Sequence, residues 1–336
     1  MLGPGKLDAE LLARLLKTCT GKADPRVAVG PGVGADAAVI DMGDKYLVAA
    51  TDPVSFATAE IGWYAVHVNA NDIACMGAKP LWFLVTVLLP AGSADEKMAG
   101  AIAAGVHEAA DGLGVAVVGG HTEVTPGIDR PILAGTMIGE AAKDRLVRPG
   151  GAREGDAVIL TKGLAIEATA VIAREKRADL EARGFAPALL DRCAGYLRDP
   201  GISVVRDARI ATAAGHVHAL HDPTEGGVAA GLGELAQAAG LGIEADGDML
   251  AADDETRALC GAYGIDPLHA LSSGALLIAL PPDDVDTVKR ALAAAGIRSA
   301  VVARMRPAGS GMKIRTGGTV ADLAWSARDE IGKLFA

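Results

Sequence analysis

The sequence predicts two domains, each built from alternating strands and helices, in an α/β or α+β layer structure. Of its 336 residues, 50% are hydrophobic and 22% are charged, which supplies enough apolar material for two cores. Short apolar runs typical of buried strands alternate with stretches of helical periodicity. The apolar pattern breaks at Arg148-Pro149-Gly150-Gly151, which places a domain boundary near residue 150 and predicts domains over 1–150 and 151–336.

In the first half, leucines at helical spacing predict a helix between Leu7 and Leu16. A hairpin over Ala37–Ile40 and Tyr46–Ala50 comes next, followed by a helix over Glu60–Met76 that Gly77 closes. The remaining elements predicted in this half are a strand at Leu81–Leu89, a helix at Ala94–Gly112, and strands at Val115–Val118 and Pro131–Ile138.

The second half repeats the alternation. Its predicted strands are Gly155–Leu160, Val217–Leu220, Leu241–Glu244, Ala275–Leu280, Ala300–Ala303 and Met312–Arg315. Its predicted helices are Ile166–Lys176, Pro187–Arg198, Ser203–Ala213, Glu225–Ala239 and Asp284–Ala295.

The composition narrows the class of partner. A formal net charge of −10 disfavours nucleic acid and anionic membrane surfaces but is compatible with Mg²⁺. The four cysteines form no CxxC pair, which is typical of a reducing cytoplasm rather than of a disulfide framework or a thiolate zinc site. No signal peptide is evident, and Leu81–Pro90, the most apolar run, is too short to span a bilayer. We therefore expect a soluble cytoplasmic protein.

A glycine-rich segment, Gly30–Ala38, is the first candidate for a binding site. Its Gly32 and Gly34 satisfy part of a dinucleotide fingerprint, but a hairpin follows where that fingerprint needs a helix. A P-loop is excluded because no glycine stretch ends in Gly-Lys-Ser/Thr. What remains is a loop that carries one carboxylate, Asp36; an ordinary turn is the alternative.

Two further carboxylates follow. Asp52 comes just beyond a predicted strand, where an Asp-Pro turn is the alternative to a site. Asn69 and Asp72 lie three residues apart on an otherwise apolar helix and share one face. A buried charge is costly without a partner, and no lysine or arginine occurs between Lys45 and Lys79. This pattern favours a metal-linked role for Asp72.

Two polar segments occupy predicted strand ends. Gly119 and Gly120 would let a ligand approach the backbone, while His121 and Thr122 would project from the end of the strand; a plain strand exit is the alternative. Asp222, in His221-Asp222-Pro223-Thr224-Glu225-Gly226-Gly227, precedes a predicted helix. Asp222 either contributes to a site at the helix N-terminus or caps the helix.

Taken together, five segments in register resemble the aminoimidazole ribonucleotide synthetase-like superfamily. They are the loop ending Gly34-Ala35-Asp36-Ala37-Ala38, the Thr51-Asp52 step, the helix with its continuation Val68–Pro80, the GGHT segment Gly119–Thr122, and the DPTEGG segment Asp222–Gly227. The superfamily also holds formylglycinamidine ribonucleotide synthetase, selenophosphate synthetase, thiamine monophosphate kinase and the hydrogenase-maturation carbamoyl dehydratase. The resemblance covers nearly the whole chain.

The resemblance implies an α/β plus α+β two-domain fold, with ATP and Mg²⁺ as cofactors. Residues 1–150 would bind ATP and Mg²⁺ and pair their sheets across a homodimer, while 151–336 would complete the cleft. Asp36, Asp52 and Asp72 match the metal-binding aspartates of the superfamily. Residues expected to contact ATP are Gly32, Gly34, Asn69, Gly119, Gly120, His121 and Thr122. Asp222 is a catalytic candidate, and Lys6, near a glycine-rich tip, is hypothesised to contact phosphate.

Within the superfamily, DPTEGG and the following Val228–Ala236 are most similar to the hydrogenase-maturation branch. The chain differs from that branch in two features. The chain ends Ile331–Ala336 and its last cysteine is Cys260, so carbamoylation of a terminal thiol is not expected. His121 stands where that branch usually has aspartate, and hard cations prefer oxygen ligands, although selenophosphate synthetase also has a GGH segment.

These features predict an enzyme that uses Mg-ATP to activate a carbonyl, amide or similar oxygen of a small molecule by phosphoryl transfer. A small-molecule kinase resembling thiamine monophosphate kinase and a non-catalytic nucleotide-binding assembly protein are the alternatives. The expected partners are a small-molecule substrate, a second copy of the chain and a maturation protein, but neither nucleic acid nor membrane.

Overall fold

The computed structural model describes residues 7, 9–19, 21–32, 34, 36–55, 60–326 and 328–335. Its contacts divide the chain into two units. The N-terminal unit comprises Lys22–Pro31 and Ala35–Leu146, and the C-terminal unit comprises Val147–Ala336 together with Met1–Gly21 and Gly32–Gly34.

The elements alternate along the chain. Over the described residues the α-helices are α1 Ala9–Leu16, α2 Ile61–Cys75, α3 Glu96–Leu113, α4 Ile166–Glu175, α5 Arg177–Ala182, α6 Pro187–Ala194, α7 Val205–Ala214, α8 Gly227–Ala239, α9 Asp254–Ala262 and α10 Val285–Ala294. The strands are β1 Val27–Val29, β2 Ala38–Asp41, β3 Lys45–Val54, β4 Lys79–Pro90, β5 Ala116–Thr125, β6 Ile132–Ala142, β7 Ala157–Thr161, β8 Ala219–His221, β9 Gly242–Asp246, β10 Leu277–Leu280, β11 Ser299–Arg306, β12 Met312–Thr316 and β13 Thr319–Asp322.

The N-terminal unit is a six-stranded mixed sheet in the order β1-β2-β3-β6-β4-β5, with α2 packed against β3, β6 and α3. α2 is buried over most of its surface because its sequence is apolar nearly all round. The two helices approach closely at Gly62, where a Cβ would lie 2.4 Å from the carbonyl oxygen of Ile102. Phe83, Leu133 and Met137 are fully buried in this unit.

The C-terminal unit is a seven-stranded mixed sheet in the order β13-β12-β9-β11-β7-β10-β8. β7 and β10 are buried along their whole length, as expected for central strands whose sequences are continuously apolar. The core of this unit joins those strands to α4, α8 and α9. The β8–α8 connection carries Asp222, and the loop before β10 carries Ser272 and Ser273.

The predicted alternation of strands and helices is confirmed in both halves, but two predicted strand ends are wrong. β5 continues from Ala116 to Thr125, so Gly119–Thr122 lies inside a strand, and β3 continues to Val54, so Asp52 does too. Glycine and Asp-Pro are typical of turns, yet here both segments pair with neighbouring strands. The sequence patterns also missed α5, α9 and the edge strands β1 and β13.

Candidate functional site

In the N-terminal unit, Asn69 on α2 fastens the backbone of Asp52 on β3. The side-chain oxygen of Asn69 accepts the Asp52 N–H at 2.9 Å, and its amide nitrogen donates to the Asp52 carbonyl at 3.3 Å and to the Ala65 carbonyl at 2.8 Å. Asn69 is completely buried. Both of its N–H groups are therefore used inside the protein, and its role is to position Asp52.

We call the hydrogen bonds between Asn69 and Asp52 the Asn69 clamp. Gly135 on β6 leaves the space that this clamp needs. It pairs with Asp52 across the sheet, and a Cβ at this position would lie 2.4 Å from the Asn69 amide nitrogen and 2.8 Å from the Phe83 ring. Only glycine fits there without displacing Asn69. The sequence patterns did not single out Gly135, because a lone glycine within a strand indicates either a bulge or a close approach.

The other two aspartates belong to the same unit as Asn69 and Asp52. Asp72 follows Asn69 by one helical turn on α2 and is 7% exposed. Asp36 is half-buried and precedes β2; extending the antiparallel register Ala38↔Ala49 by two positions leads to Thr51 of β3. The extended register places Asp36 opposite Thr51, the residue before Asp52, and joint binding of one metal ion by the three aspartates stays a prediction.

The GGHT segment lies farther away, in the edge strand β5. Asp52 pairs with Gly135, Gly135 with Val85, and Val85 with Gly120, so one cross-strand row joins them. Three strand spacings separate Asp52 from Gly120 by about 14 Å. Gly120 has a structural reason to be glycine, because a Cβ there would lie 2.0 Å from the Val85 carbonyl oxygen.

His121 occupies the next row and points to the opposite face. Successive side chains on a strand alternate, and the Gly135 row faces Asn69. The His121 ring lies 3.2 Å from the Glu123 carboxylate; Thr125 donates to the other Glu123 oxygen at 2.8 Å, and the two neighbours lower the pKa of Glu123, Thr125 the more. Within one chain the sheet does not bring His121 to the aspartates, so its contact with a nucleotide remains a prediction, as does that of Thr122.

The other predicted contacts are placed as follows. Gly32 and Gly34 are exposed, and Gly34 has a positive φ of 77°, which favours glycine. Gly119 is exposed on β5. Lys6 lies outside the described residues.

In the C-terminal unit, Asp222 lies in the connection between β8 and α8, as predicted, and is 6% exposed. The Thr224 hydroxyl donates to the Asp222 carbonyl at 3.2 Å, and the Gly227 N–H donates to the Thr224 carbonyl at 3.2 Å. The end of this turn packs closely against the segment Pro267–His269, because a Cβ at Gly227 would lie 2.5 Å from the Leu268 carbonyl oxygen.

Next to this turn lies a buried carboxyl group that the sequence patterns missed, Glu167 in the first turn of α4. Burial raises its pKa to about 7; hydrogen bonds from Ser273 oppose that shift, while the charges of Glu225 and Asp329 add to it. Its Oε2 atom is buried and makes no hydrogen bond. The sequence feature that could have indicated Glu167 is a single acidic residue within the apolar run 164–173.

Glu167, Glu225 and Asp329 form a cluster of carboxyl groups, which together with Ser273 we call the Glu167 cluster. The oxygens of Asp329 accept the N–H groups of Gly226 and Ile331, each at 2.7 Å. Burial raises the pKa of Asp329 to about 6, although these backbone hydrogen bonds oppose the shift. Asp329 thereby ties the C-terminal segment to the start of α8.

The division into two units agrees with a match to known families. Residues 34–141 match the family described as AIR synthase related protein, N-terminal domain, and residues 153–314 match its C-terminal domain. The chain belongs to the AIR synthase related family. This confirms the superfamily that the sequence motifs resemble.

Curated relatives in the AIR synthase related family carry several names. A protein of Methanocaldococcus jannaschii named for hydrogenase expression and formation is 28% identical and covers 82% of each chain. The carbamoyl dehydratase HypE of Rhizobium leguminosarum bv. viciae is 32% identical over 74% of this chain and 67% of its own. A selenide, water dikinase of Burkholderia ambifaria is 31% identical over 89% and 90%.

Solved structures of the family share the fold. A HypE–HypF complex matches with a TM-score of 0.74 at 22% identity, covering 94% of this chain and 99% of the other. HypE in complex with ATP matches with a TM-score of 0.72 at 22% identity, covering 94% of this chain and 91% of the other. AaThiL complexed with AMPPCP and TMP matches with a TM-score of 0.71 at 21% identity, covering 94% of each chain. The predicted α/β plus α+β two-domain fold is confirmed.

Family membership also confirms the prediction of an ATP-dependent enzyme. In the parts of the chain that the structure describes, no helix combines the length and the apolarity needed to cross a bilayer.

Replacing Asn69 by alanine is expected to destabilise the N-terminal unit by about 2 kcal/mol, because the N–H of Asp52 loses its acceptor in a buried setting. Urea denaturation of the purified variant measures this change. Thr136→Ala is the matched control: its hydroxyl donates only to the Thr51 hydroxyl, at 3.2 Å, and its loss should cost less than about 1 kcal/mol. Equal costs for the two variants would contradict the clamp.

The raised pKa of Glu167 predicts a stability that falls as pH rises. In the unfolded chain the carboxyl ionises near 4.5, whereas in the folded chain it stays protonated until about pH 7. The free-energy cost of keeping this carboxyl protonated or burying its charge in the folded state is therefore absent below pH 4.5. It grows between pH 4.5 and 7 and reaches roughly 3 kcal/mol above pH 7. Glu167→Gln lacks this penalty, so its free energy of unfolding relative to wild type should increase by that amount from pH 4 to pH 8. A difference independent of pH would refute the buried, protonated carboxyl.

Proposed function

We propose that the protein uses Mg-ATP to activate a carbonyl, amide or similar oxygen of a small molecule by phosphoryl transfer. The observation that carries this proposal is the clamp between Asn69 and Asp52, with Asp72 one turn away on a buried helix. A fixed set of carboxylates suits a reaction in which catalysis is positioning and charge neutralisation. Its relatives include carbamoyl dehydratases, which are named for chemistry at an amide-like group.

Asp36, Asp52 and Asp72 fit Mg²⁺ because the set offers only oxygen atoms, the ligands that this cation prefers. Bound there with ATP, Mg²⁺ would neutralise the phosphate oxygens. The chain's own contribution is to hold the carboxylates: Asn69 fixes the Asp52 backbone, and the α2 core fixes Asp72. We assign phosphate and nucleotide contacts to backbone groups of Gly32, Gly34, Gly119 and Gly120, to the side chains of His121 and Thr122, and to Lys6.

Asp222 is proposed to act on the substrate from the C-terminal unit. It is nearly buried directly after β8, in the connection to α8, and the N-terminus of α8 at the end of that connection favours negative charge, including that of a phosphorylated intermediate. The proposed domains follow: 1–150 for ATP, Mg²⁺ and dimerisation, and 151–336 for the substrate.

A cytoplasmic homodimer joined through β5 is part of the proposal. β5 is an edge of its sheet, it is exposed from Ala116 to Val124, and it presents Val117, Val118 and Val124 at 48%, 54% and 59% exposure. A long apolar edge strand invites pairing with another strand. Val118→Lys should convert a dimer into a monomer in analytical ultracentrifugation, whereas Lys97→Glu on α3 should not. A maturation protein is a further proposed partner, supported by the fold shared with the HypE–HypF complex.

A panel of small metabolites screened for Mg-ATP turnover tests the function. An activating enzyme releases phosphate and a dehydrated or substituted product, whereas a kinase leaves a stable phosphorylated product. The kinase is the second candidate, favoured by the fold shared with AaThiL complexed with AMPPCP and TMP. Tight ATP binding without turnover across the panel would favour a non-catalytic assembly protein, and absence of Mg-ATP binding in calorimetry would refute both enzymes.

A further inference from the structure

The start of α4 is fastened to the loop before β10, which places Glu167 beside the Asp222–Gly227 turn. The Ala165 N–H donates to the Ser272 hydroxyl at 3.0 Å, and the Ala168 N–H donates to the Leu271 carbonyl at 3.0 Å. The Ser272 N–H in turn donates to the Thr224 carbonyl at 3.3 Å. Glu167 is thus held between two loops of the C-terminal unit, one of which carries Asp222.

Only one of the two oxygens of the Glu167 carboxyl makes hydrogen bonds. Ser273 hydrogen-bonds it through both its hydroxyl and its backbone, while Oε2 is buried and makes no hydrogen bond. Glu167 is 9% exposed. A buried carboxyl oxygen without a donor carries a free-energy cost that proteins avoid unless the oxygen has a use.

The charges that act most strongly on Glu167 are both negative. Glu225 lies in the DPTEGG turn and Asp329 lies in the C-terminal segment, and each raises the pKa of Glu167. Asp329 is committed to the backbone N–H groups of Gly226 and Ile331 and is poorly placed to bind a metal ion directly. The surroundings of Oε2 therefore favour a positively charged hydrogen-bond donor over both a neutral donor and a bare cation.

We propose that Glu167, with Glu225 and Asp329 around it, forms a subsite that binds an ammonium or amidinium group of the substrate through Oε2 of Glu167. The subsite deepens the proposed function, because it adjoins the turn of Asp222 and narrows the substrate to a molecule with a cationic nitrogen. An N–H group of that nitrogen supplies the missing donor, and its charge offsets the neighbouring carboxylates.

Carbon-13 NMR of the full chain, labelled at the glutamate side-chain carboxyl carbons, tests this subsite. The Glu167 resonance is identified by its loss in Glu167→Gln, and its pH titration is followed with methylammonium or acetamidinium as probe. Either probe should lower the titration midpoint by at least one pH unit, a tenfold loss of proton affinity. Glu175, exposed at the other end of α4, is the internal control and should not move.

Three results would overturn the subsite: an unchanged midpoint with both probes, an equal shift at Glu175, or an equal shift with neutral acetamide. Chemical shift titrations at pH 8 give the probe affinity, which should fall about tenfold in Glu167→Gln and stay unchanged in Glu175→Gln. If Glu167→Gln does not fold, the wild-type resonance is assigned with Glu167→Asp. Calorimetry of Mg-ATP on the same samples separates the two proposals, because loss of ATP binding bears on the proposed function and the midpoint bears on the subsite.

Discussion

Replacing Asp72 by asparagine is expected to lower Mg-ATP turnover on the order of 1000-fold while the protein stays folded, because the change removes a charge but preserves the shape of the side chain. Asp72 lies on the buried helix α2, one turn beyond the Asn69 clamp. Binding the cation that accompanies ATP is the role proposed for this carboxylate, because Mg²⁺ prefers oxygen ligands. The measurements are the steady-state rate with the substrate found in the panel and the Mg²⁺ dependence of that rate.

Asp144→Asn is the matched control, since Asp144 belongs to the same unit and its side chain is 82% exposed. Its turnover should equal that of wild type. An Asp72→Asn rate within a few-fold of wild type would contradict a metal-holding role. If binding of Mg-ATP is unchanged while turnover is lost, the carboxylate acts on the reacting phosphate rather than on nucleotide affinity.

Local patterns predicted α2 well because helical periodicity is a local property of the sequence. α2 was predicted over Glu60–Met76 and runs from Ile61 to Cys75, so the shared face of Asn69 and Asp72 followed from helical spacing alone. The strand ends were harder to predict. Pro53 and Gly120 are typical of turns, and only the pairing of β3 with β6 and of β5 with β4 shows that both strands continue.

The Glu167 cluster could not be predicted, because its members come from four separate segments of the sequence. Glu167, Glu225, Ser273 and Asp329 meet only after the C-terminal unit has folded. Each has an ordinary interpretation by itself, as a first-turn acidic residue, a loop residue or a cap. The Asn69 clamp shows the same limit, since its partners Asp52 and Gly135 lie on other elements.

A buried lysine, Lys162, contacts a turn that packs against the loop of Ser273. The side chain of Lys162, 7% exposed, donates to the carbonyls of Gly201 at 3.3 Å and Ser203 at 2.5 Å and lies 3.4 Å from the Asp207 carboxylate. Burial lowers the pKa of Lys162, and the charge of Asp207 opposes that shift. The turn that Lys162 holds packs against the loop of Ser273, because a Cβ at Gly274 would lie 2.5 Å from the Gly201 carbonyl oxygen.

Lys162→Met is therefore expected to destabilise the protein by about 3–5 kcal/mol, because it leaves the Asp207 charge buried without its cation. Asp207 already has one buried oxygen, Oδ1, that makes no hydrogen bond. Lys162→Met/Asp207→Asn removes the uncompensated charge as well and should recover at least half of the loss in urea denaturation. Equal stability of the single and double variants would show that the lysine contributes only its hydrogen bonds to Gly201 and Ser203. Recovery in the double variant would instead show that the loss in Lys162→Met comes from the uncompensated buried charge of Asp207.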